Sequence, residues 1–306
     1  MDSRTILKKI IRKIFGIRPD VALNLNQLER TVSLKWEKKI YKKKYSTDEF
    51  IQVLKGLGMH EGSCVFIQSS WNSFFNYTGT PNELIDAILE VIGENGTLAM
   101  PAFPMNQNVP LNLKRSVTGA GMLAEAFRRH PNVKRSINIQ HSVCAIGPQS
   151  DYLINEHHLS DTCFDEKSPY YKLCKVDALI FCLGMGYNWL STSYHCVESI
   201  NSKEVKYYAD FFKKEKTPHE YIDYDGVKKL YYCYDLAVER GFKIIPERFF
   251  LSKYLDRGID YQFKRISNLT ISCYYAKSYL PKLISLGRKG IDIYRSPSKK
   301  GYTFEK

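Results

Sequence analysis

The chain has 306 residues, of which 44% are hydrophobic and 25% are charged, and this composition is typical of a globular protein that buries a full core. No run of 18 or more apolar residues occurs, which excludes a conventional membrane-spanning helix. The net charge of +13 belongs to the ends, since residues 1–45 carry +9, residues 264–306 carry +8, and the middle carries about −4. The charge therefore gives a reason to consider nucleic-acid binding only for the two ends of the chain. We expect no nucleic-acid partner.

The N-terminal segment 5–17 has the pattern of an amphipathic helix, with apolar residues on one face and lysines and arginines on the other. Such a helix could contact an anionic membrane surface. Packing of its apolar face on the body is the simpler interpretation. The lysine-rich segment 35–45 predicts a solvated helix that leads into the body.

From residue 46 onward, helical and extended patterns alternate. A helix is predicted over 46–58, where Ser46 or Thr47 begins a capping box and a glycine ends the pattern. The next predicted elements are, in chain order, a strand (63–70), a helix (81–93), a strand (96–103), a helix (119–130), strands (141–147 and 175–186) and a helix from residue 191. This alternation predicts an α/β sandwich with a sheet covered on both faces.

The chain divides into three predicted parts. Residues 46–263 form one domain, whose region after about residue 200 is rich in Tyr and Phe and is expected to be a substrate-side insertion. Residues 1–45 are a basic N-terminal extension, and residues 264–306 are a basic C-terminal segment.

Eight cysteines lie mostly within apolar stretches, and none forms a C-x-x-C pair. This spacing gives no support to a zinc ribbon or a dithiol redox site. We expect free thiols in a reducing cytoplasm. The N-terminus lacks a continuous apolar core and a small-residue cleavage site, so we expect no secretory signal and a cytoplasmic location.

Unusual polar groups follow three predicted strands, and in open α/β sheets ligands bind at the carboxyl ends of strands. The three strand ends are Gln68-Ser69-Ser70-Trp71, Pro101-Ala102-Phe103 and Gly184-Met185-Gly186, with His195 and Glu198 beyond the last. Each has an ordinary explanation on its own: the serines could form a turn or a helix cap, and a histidine near a helix start is more often structural. Local chemistry therefore predicts only a polar cleft.

The order of the segments is more informative. Residues 50–200 contain, in sequence, FIQSSW, GTLAMPAF, TGAGMLAEAFRRHPNVKRS, HSVCAIG, KSPYYKL and LIFCLGMGYNWLSTSYHCVES. This series resembles the aminoglycoside 3-N-acetyltransferase family, also called the antibiotic N-acetyltransferases, whose motifs end in N-T-x-x-H-x-x-E. The resemblance implies a three-layer sandwich with a central mixed sheet, and transfer of an acyl group from coenzyme A to an amine.

The resemblance also implies roles for named residues. His195 and Glu198 fall on the H-x-x-E motif, in which the histidine is the general base toward the acceptor amine. The positions implied to contact acetyl-CoA or another acyl-CoA are Ser69, Ser70, Thr97, Phe103, Thr118, Gly119, Arg135 and Ser136. The residues expected near the acceptor are Trp71, His141 and Asn188.

General chemistry agrees with this assignment. An ammonium cannot attack a thioester, whereas a neutral imidazole can take the proton as the amine attacks, a contribution of about 10²–10⁴ in rate. A carboxylate one helical turn away can orient the ring. The transfer requires no metal and is expected to be direct, because no Cys or Ser is evidently paired with a second base.

The sequence departs from the family pattern at three places. Gln68 stands where the family has a histidine before the serines, and the Arg135-Ser136 pair is not followed by the family's x-His-Pro. The loop 102–116 contains no acidic residue and ends in Lys114 and Arg115, whereas antibiotic-modifying members carry acidic residues there. We therefore expect an amine of a nucleotide-linked amino sugar, used in surface polysaccharide synthesis, as the acceptor.

Other interpretations stay open at this point. The alternative within the family is acetylation of an aminoglycoside antibiotic. A basic module that binds RNA or a membrane surface through its ends is a distant alternative. A hydrolase with Ser69 or a cysteine as nucleophile is disfavoured, because no G-x-S-x-G occurs. The expected assembly is a monomer or homodimer.

Overall fold

Seven strands of the described part of the chain form a central sheet. The structure is a computed structural model that describes residues 12–13, 25–185, 191–245, 253–255 and 259–306. Its strands are β1 (Cys64–Ser69), β2 (Thr97–Pro101), β3 (Leu111–Asn112), β4 (Lys134–Arg135), β5 (Val143–Ile146), β6 (Leu179–Leu183), β7 (Thr217–Ile222), β8 (Lys228–Cys233), β9 (Lys243–Ile244), β10 (Tyr261–Ile266), β11 (Leu269–Tyr275) and β12 (Tyr294–Ser296).

The helices, also numbered in chain order within these residues, are α1 (Leu25–Ile40), α2 (Thr47–Lys55), α3 (Pro81–Ile92), α4 (Met122–Arg129), α5 (Ser150–Ile154), α6 (Pro169–Lys172), α7 (Cys196–Asn201), α8 (Lys206–Ala209) and α9 (Ala276–Arg288). Single turns of 3₁₀ helix occur at Trp71–Ser73, His157–Leu159, Thr192–His195 and Val238–Arg240. The predicted helix over 5–17 lies outside the described residues, apart from residues 12 and 13.

The central sheet has the strand order β10-β11-β6-β1-β2-β5-β4. Its middle strands β6, β1 and β2 run parallel, and antiparallel strands are added on both sides. The sheet is therefore mixed, and the predicted α/β architecture with a central mixed sheet is confirmed. The strands β3, β7 and β8 form a second sheet, and β12 pairs with β9.

Two hydrophobic cores cover the two faces of the central sheet. In β1, Val65 and Ile67 belong to one core and Phe66 to the other, as the two-residue period of a strand requires. The first core is completed by α2 and α3, the second by α7 and α9. Each large apolar side chain that is fully buried contributes about 1.5–3 kcal/mol, so these two cores hold the sheet in place.

The helices α2 and α3 begin where the sequence predicts them. The hydroxyl of Ser46 accepts a hydrogen bond from the amide of Glu49, whose carboxylate accepts one from the amide of Ser46. Thr80 and Glu83 make the same reciprocal pair at the start of α3. These capping boxes satisfy backbone donors that the first helical turn leaves without partners.

The structure differs from the predicted boundaries at both ends. The helix α1 ends at Ile40, so residues 41–44 of the predicted helix 35–45 are not helical. The predicted boundary at residue 263 falls inside β10, and the segment 264–306 supplies β11 to the central sheet and α9 to a core. The basic composition of this segment does not predict that it packs on the body. The apolar face of an amphipathic element is buried, while its charged face stays in water.

Residues 217–233 form the β7–β8 hairpin within the region predicted as a substrate-side insertion. Its small core contains Leu111, Tyr221, Tyr231 and Cys233, and the parallel pairing of β3 with β7 attaches it to the loop 102–116. The hairpin therefore belongs to a second sheet, separate from the central one.

All eight cysteines are free thiols, six of them buried, as expected. In the described part of the chain, no helix combines the length and the apolar character needed to cross a bilayer.

Candidate active site

The carboxyl ends of β1 and β6 lie side by side at the predicted ligand-binding edge. Ser69 is paired with Leu183, and the amide of Ser70 donates to the carbonyl of Leu183 over 2.9 Å. Gly184 then leaves β6 with a φ of +68°, and a Cβ there would lie 2.6 Å from the Cβ of Ser73. Glycine is thus required for both conformation and space at this strand end.

Gln68 connects this strand end to the turn that carries His195. Its side-chain carbonyl accepts hydrogen bonds from the amide of Thr192 at 3.0 Å and from the hydroxyl of Thr192 at 2.5 Å. On the other side, the hydroxyl of Tyr274 accepts a hydrogen bond from the amide of Ser191 at 3.1 Å. The glutamine that replaces the family's histidine therefore fixes the start of the Thr192–His195 turn.

His195 and Glu198 form the predicted pair. His195 precedes α7, Glu198 lies in its first turn, and the Nδ1–Oε1 distance is 3.4 Å. The side chain of His195 is 41% exposed, whereas that of Glu198 is 3% exposed. A buried carboxylate thus faces one nitrogen of an accessible imidazole, the arrangement in which a carboxylate sets the ring orientation of a general base.

Tyr294 on β12 contacts the same carboxylate. Its hydroxyl donates a hydrogen bond to Glu198 Oε1, and Glu198 Oε2 has no hydrogen-bond partner among the described residues. The backbone of β12 is held nearby, because the amide of Ile293 donates to the hydroxyl of Tyr194 and the amide of Tyr294 donates to Asp292. Sequence reasoning missed Tyr294, which lies about a hundred residues from His195 and is one of 22 tyrosines.

A recess opens beside His195. It is lined mainly by aromatic and apolar side chains, with Glu198 as its one carboxylate among the described residues. Phe212, Tyr234 and Leu236, which belong to the region after residue 200, form part of the wall. An apolar pocket with a few polar groups is a common form of ligand site.

His141, which is expected near the acceptor, also lines this recess. Its ring packs on Phe164 with 4.5 Å between centroids, and Phe164 in turn lies 5.2 Å from the ring of His195. Burial, together with the nearby His195 and His157, lowers the pKa of His141 to about 3. His141 is therefore neutral at physiological pH and can offer a hydrogen bond without a charge.

Four of the positions predicted to contact acyl-CoA lie where β1 and β2 end, namely Ser69, Ser70, Phe103 and Gly119. Ser69 and Ser70 end β1, and a Cβ on Gly121 would lie 3.8 Å from the carbonyl of Ser69, so the amino end of α4 opens beside this strand end. Phe103 is near Gly119, whose Cβ would lie 3.0 Å from its ring. These positions share one edge of the sheet, where the first amides of α4 could bind a phosphate.

Thr118 shapes the loop that precedes α4. Its hydroxyl donates to the carbonyl of Phe103 at 2.9 Å and accepts from the amide of Ala120 at 3.1 Å. Its amide donates to Glu125 Oε2 at 3.0 Å. Thr118 is 3% exposed, so its contribution to the site is to hold the loop that contains Gly119.

Thr97 does not lie in the cleft, contrary to the prediction. It begins β2 beside Cys64, so it is at the amino end of the parallel strands, about 13 Å from Pro101 at a rise of about 3.3 Å per residue. Its hydroxyl accepts a hydrogen bond from the amide of Gln149 at 3.0 Å. A strand rises about 3.3 Å per residue, so residues of one motif can lie at opposite edges of the sheet. The motif that contains Thr97 therefore need not place Thr97 at the site.

Arg135 and Ser136 are buried, and protein groups occupy their hydrogen bonds. The guanidinium of Arg135 donates to Ser142 Oγ, to the carbonyl of Ser116 and to the carbonyl of Ala102. The hydroxyl of Ser136 contacts His157 Nδ1 and accepts from the amide of Val143, both at 2.8 Å. A buried guanidinium must be satisfied by acceptors, and here it ties the two ends of the loop 102–116 to β4.

Two predicted acceptor-side residues remain. Trp71 stacks on Phe74, with 4.6 Å between centroids and 15° between planes, and packs against a core, so part of its ring is used for packing. Asn188 lies outside the described residues. Lys114 and Arg115 are exposed at the end of the loop 102–116.

The chain is similar to known acetyltransferases in sequence and in fold. Residues 66–242 match the profile of the family described as aminoglycoside 3-N-acetyltransferase. The SPbeta prophage-derived aminoglycoside N(3')-acetyltransferase-like protein YokD of Bacillus subtilis (strain 168) is 28% identical over 169 residues, which are 47% of this chain and 61% of that protein. Aminoglycoside N(3)-acetyltransferase IV of Salmonella sp is 30% identical over 152 residues, 49% of this chain and 57% of that protein.

The chain thus spans about 60% of the length of these two relatives. Among solved structures, that of AAC-IIIb in a binary complex with CoASH has a TM-score of 0.66 at 17% identity, covering 83% of this chain and 99% of that chain. This likeness concerns the fold. Because the family profile covers more than half of the sequence and the fold agrees, the chain belongs to the aminoglycoside 3-N-acetyltransferase family.

Proposed function

We propose that the chain is an acetyl-CoA-dependent N-acetyltransferase whose acceptor is an amine of an aminoglycoside. The observation that carries the proposal is the pair formed by exposed His195 and buried Glu198 at an apolar recess. Membership of the family, whose relatives are named as aminoglycoside acetyltransferases, supports the choice of donor and acceptor.

In the proposed reaction, His195 takes the proton that the amine loses as its nitrogen forms a bond to the thioester carbon. The carbon–sulfur bond then breaks, and His195 returns the proton to the departing sulfur. Glu198 keeps Nδ1 occupied, so Nε2 is the proposed base. The same carboxylate stabilises the imidazolium that forms between the two steps.

A nucleotide-linked amino sugar is the second candidate for the acceptor. One specific observation favours it: the loop 102–116 has no acidic residue, and Glu198 is the one carboxylate among the described residues that line the recess. A polycationic aminoglycoside gains from several carboxylates, whereas an anionic nucleotide does not. Lys114 and Arg115 are exposed on this loop and could face such an anion.

The two candidates are separated by measuring release of the coenzyme A thiol with acetyl-CoA and a panel of acceptors, which includes gentamicin, sisomicin and several nucleotide-linked amino sugars. Turnover of aminoglycosides alone supports the first candidate, and turnover of nucleotide sugars alone supports the second. Lack of turnover with every acceptor would contradict both.

The base is tested by His195→Ala. We expect kcat to fall by about 10²–10⁴ while binding of coenzyme A, followed by calorimetry, persists. The matched control is His60→Ala, since His60 is an exposed histidine that precedes β1 at the opposite edge of the sheet. Activity retained by His195→Ala would remove the proposed base.

A further inference from the structure

Three metal-ligating side chains converge on the β7–β8 hairpin, behind the wall of the recess. They are His219 on β7, Cys233 at the end of β8 and Asp235 two residues later. The ligand atoms all lie within 4.8 Å of one another. The proposed acyl transfer uses none of these three groups.

The strand register explains why they meet. His219 is paired with Tyr231, so Cys233 stands two residues diagonally away on the same face of the hairpin. Asp235 follows at the two-residue period of an extended chain. The distances are 2.8 Å between His219 Nε2 and Asp235 Oδ1 and 3.9 Å between Cys233 Sγ and Asp235 Oδ1.

A fourth side chain comes from a different segment. The thiol of Cys163 donates a hydrogen bond to Gln140 Oε1 over 3.1 Å, and it lies close to the thiol of Cys233. Gln140 also donates a hydrogen bond to Asp235 Oδ1. Both Cys163 and Gln140 line the recess beside His195, so the cluster joins the hairpin to the acceptor side of the site.

The donor set is that of a zinc site. Zinc binds thiolate sulfur at about 2.3 Å and imidazole nitrogen or carboxylate oxygen at about 2.0–2.2 Å in a tetrahedron, which places neighbouring ligand atoms about 3.4–3.8 Å apart. The separations of 2.8 Å and 3.9 Å differ from this range by less than about 1 Å. Thiolates select zinc over magnesium and calcium, whose ligands are oxygens.

We propose that His219, Cys233 and Asp235 bind a Zn²⁺ ion, with Cys163 as the fourth ligand. On binding, the two thiols lose their protons, and His219 coordinates through Nε2 while its remaining ring proton stays on Nδ1. Two thiolates, one carboxylate and Zn²⁺ sum to one negative charge. Lys213, 3.4 Å from Asp235 Oδ2, balances it.

The ion has a structural role in this proposal. It connects the β7–β8 hairpin to Cys163, whose neighbour Phe164 packs against His195 with 5.2 Å between ring centroids. All four ligand positions are taken by the protein, which is the closed form of a structural zinc site. Metal binding then contributes to the stability of the hairpin and of the acceptor wall.

The test uses the full chain without an affinity tag, incubated with Zn²⁺, separated from free metal by gel filtration and analysed by plasma mass spectrometry. We expect one zinc per chain, lost in Cys233→Ser and in His219→Ala. The matched control is Cys174→Ser, because Cys174 is a half-buried free thiol outside the cluster, and it should keep the metal.

If the variants fail to fold, the proposal is tested on the wild-type chain by binding Co²⁺ in place of Zn²⁺. Its absorption spectrum should show a thiolate-to-cobalt charge-transfer band and the visible bands of tetrahedral Co²⁺. Removal of zinc by a chelator should lower the melting temperature. No retained zinc in the wild type, equal retention by Cys233→Ser, or a Cys163–Cys233 disulfide found by peptide mass spectrometry would each overturn the proposal.

Discussion

The hydroxyl of Tyr294 donates a hydrogen bond to the carboxylate of Glu198, and this contact links the C-terminal segment to the proposed catalytic pair. The bonded oxygen, Oε1, is also the one that lies 3.4 Å from Nδ1 of His195. One carboxylate oxygen therefore contacts both side chains, so its position determines the orientation of the imidazole. Tyr294 is a positioning residue in this arrangement.

Substitution Tyr294→Phe removes the hydroxyl and keeps the ring. A hydrogen bond to a charged group contributes about 1.5–3 kcal/mol, and if roughly half of this is lost in the transition state, kcat should fall about 3- to 12-fold. The KM for acetyl-CoA should change little. The control is Tyr232→Phe, an exposed tyrosine on β8, and equal losses of kcat in both variants would contradict a positioning role.

Gln68 should affect turnover through the Thr192–His195 turn. Substitution Gln68→Met keeps the size of the side chain but leaves the amide and hydroxyl of Thr192 without this acceptor. A fully buried donor without an acceptor costs about 1–3 kcal/mol. Thr192 is half-buried, so we expect a smaller loss, seen as both a lower melting temperature and a lower kcat. Thr192→Val, which removes the hydroxyl alone, should have the smaller effect in steady-state assays, and the reverse order would contradict this role.

Glu125 should make stability depend on pH in the acidic range. Burial acts to raise its pKa, but hydrogen bonds from Arg128, the amide of Thr118 and Arg129 outweigh it and lower the pKa to about 2. Because the folded pKa lies below the ordinary value of about 4.5, the stabilisation is present above that pH and is lost as the pH falls toward 2.

Glu125→Gln removes this pH-dependent contribution. Its unfolding free energy should be about 1–3 kcal/mol lower than wild type at pH 7, with the difference shrinking as the pH falls from about 5 toward 2. The KM for acetyl-CoA should rise, since Glu125 holds the amide of Thr118 in the loop before α4. Urea unfolding at several pH values measures the first effect, and a constant difference across pH would contradict it.

Gly184→Ala should destabilise the end of β6 by about 2 kcal/mol or more. A Cβ at this position would meet Ser73 Cβ at 2.6 Å and Leu269 Cδ1 at 2.8 Å, in addition to the strain of a φ of +68°. Gly226→Ala is the matched control, because Gly226 has a φ of +85° and nothing within 4 Å of its Cβ position. Thermal unfolding of the two variants separates the clash from the backbone strain, and equal melting temperatures would show that the clash is relieved.

The sequence by itself determined the features that depend on neighbouring residues. The capping boxes at Ser46 and Thr80 involve residues three positions apart, and they begin helices where the pattern predicts them. The spacing of His195 and Glu198 is also local, since one helical turn brings them together. The order of the motifs, which reflects the path of the chain through one fold, identified the family.

Only the tertiary structure decided which distant groups meet. Tyr294 reaches Glu198 from β12, and Cys163 reaches Cys233 from another segment, although neither approach has a local pattern. The motif predicts that Arg135 contacts the cofactor. Its guanidinium is buried instead and donates hydrogen bonds to the protein's own carbonyls. These contacts depend on how the sheets pack and on which groups must be satisfied away from water, and both are properties of the whole folded chain.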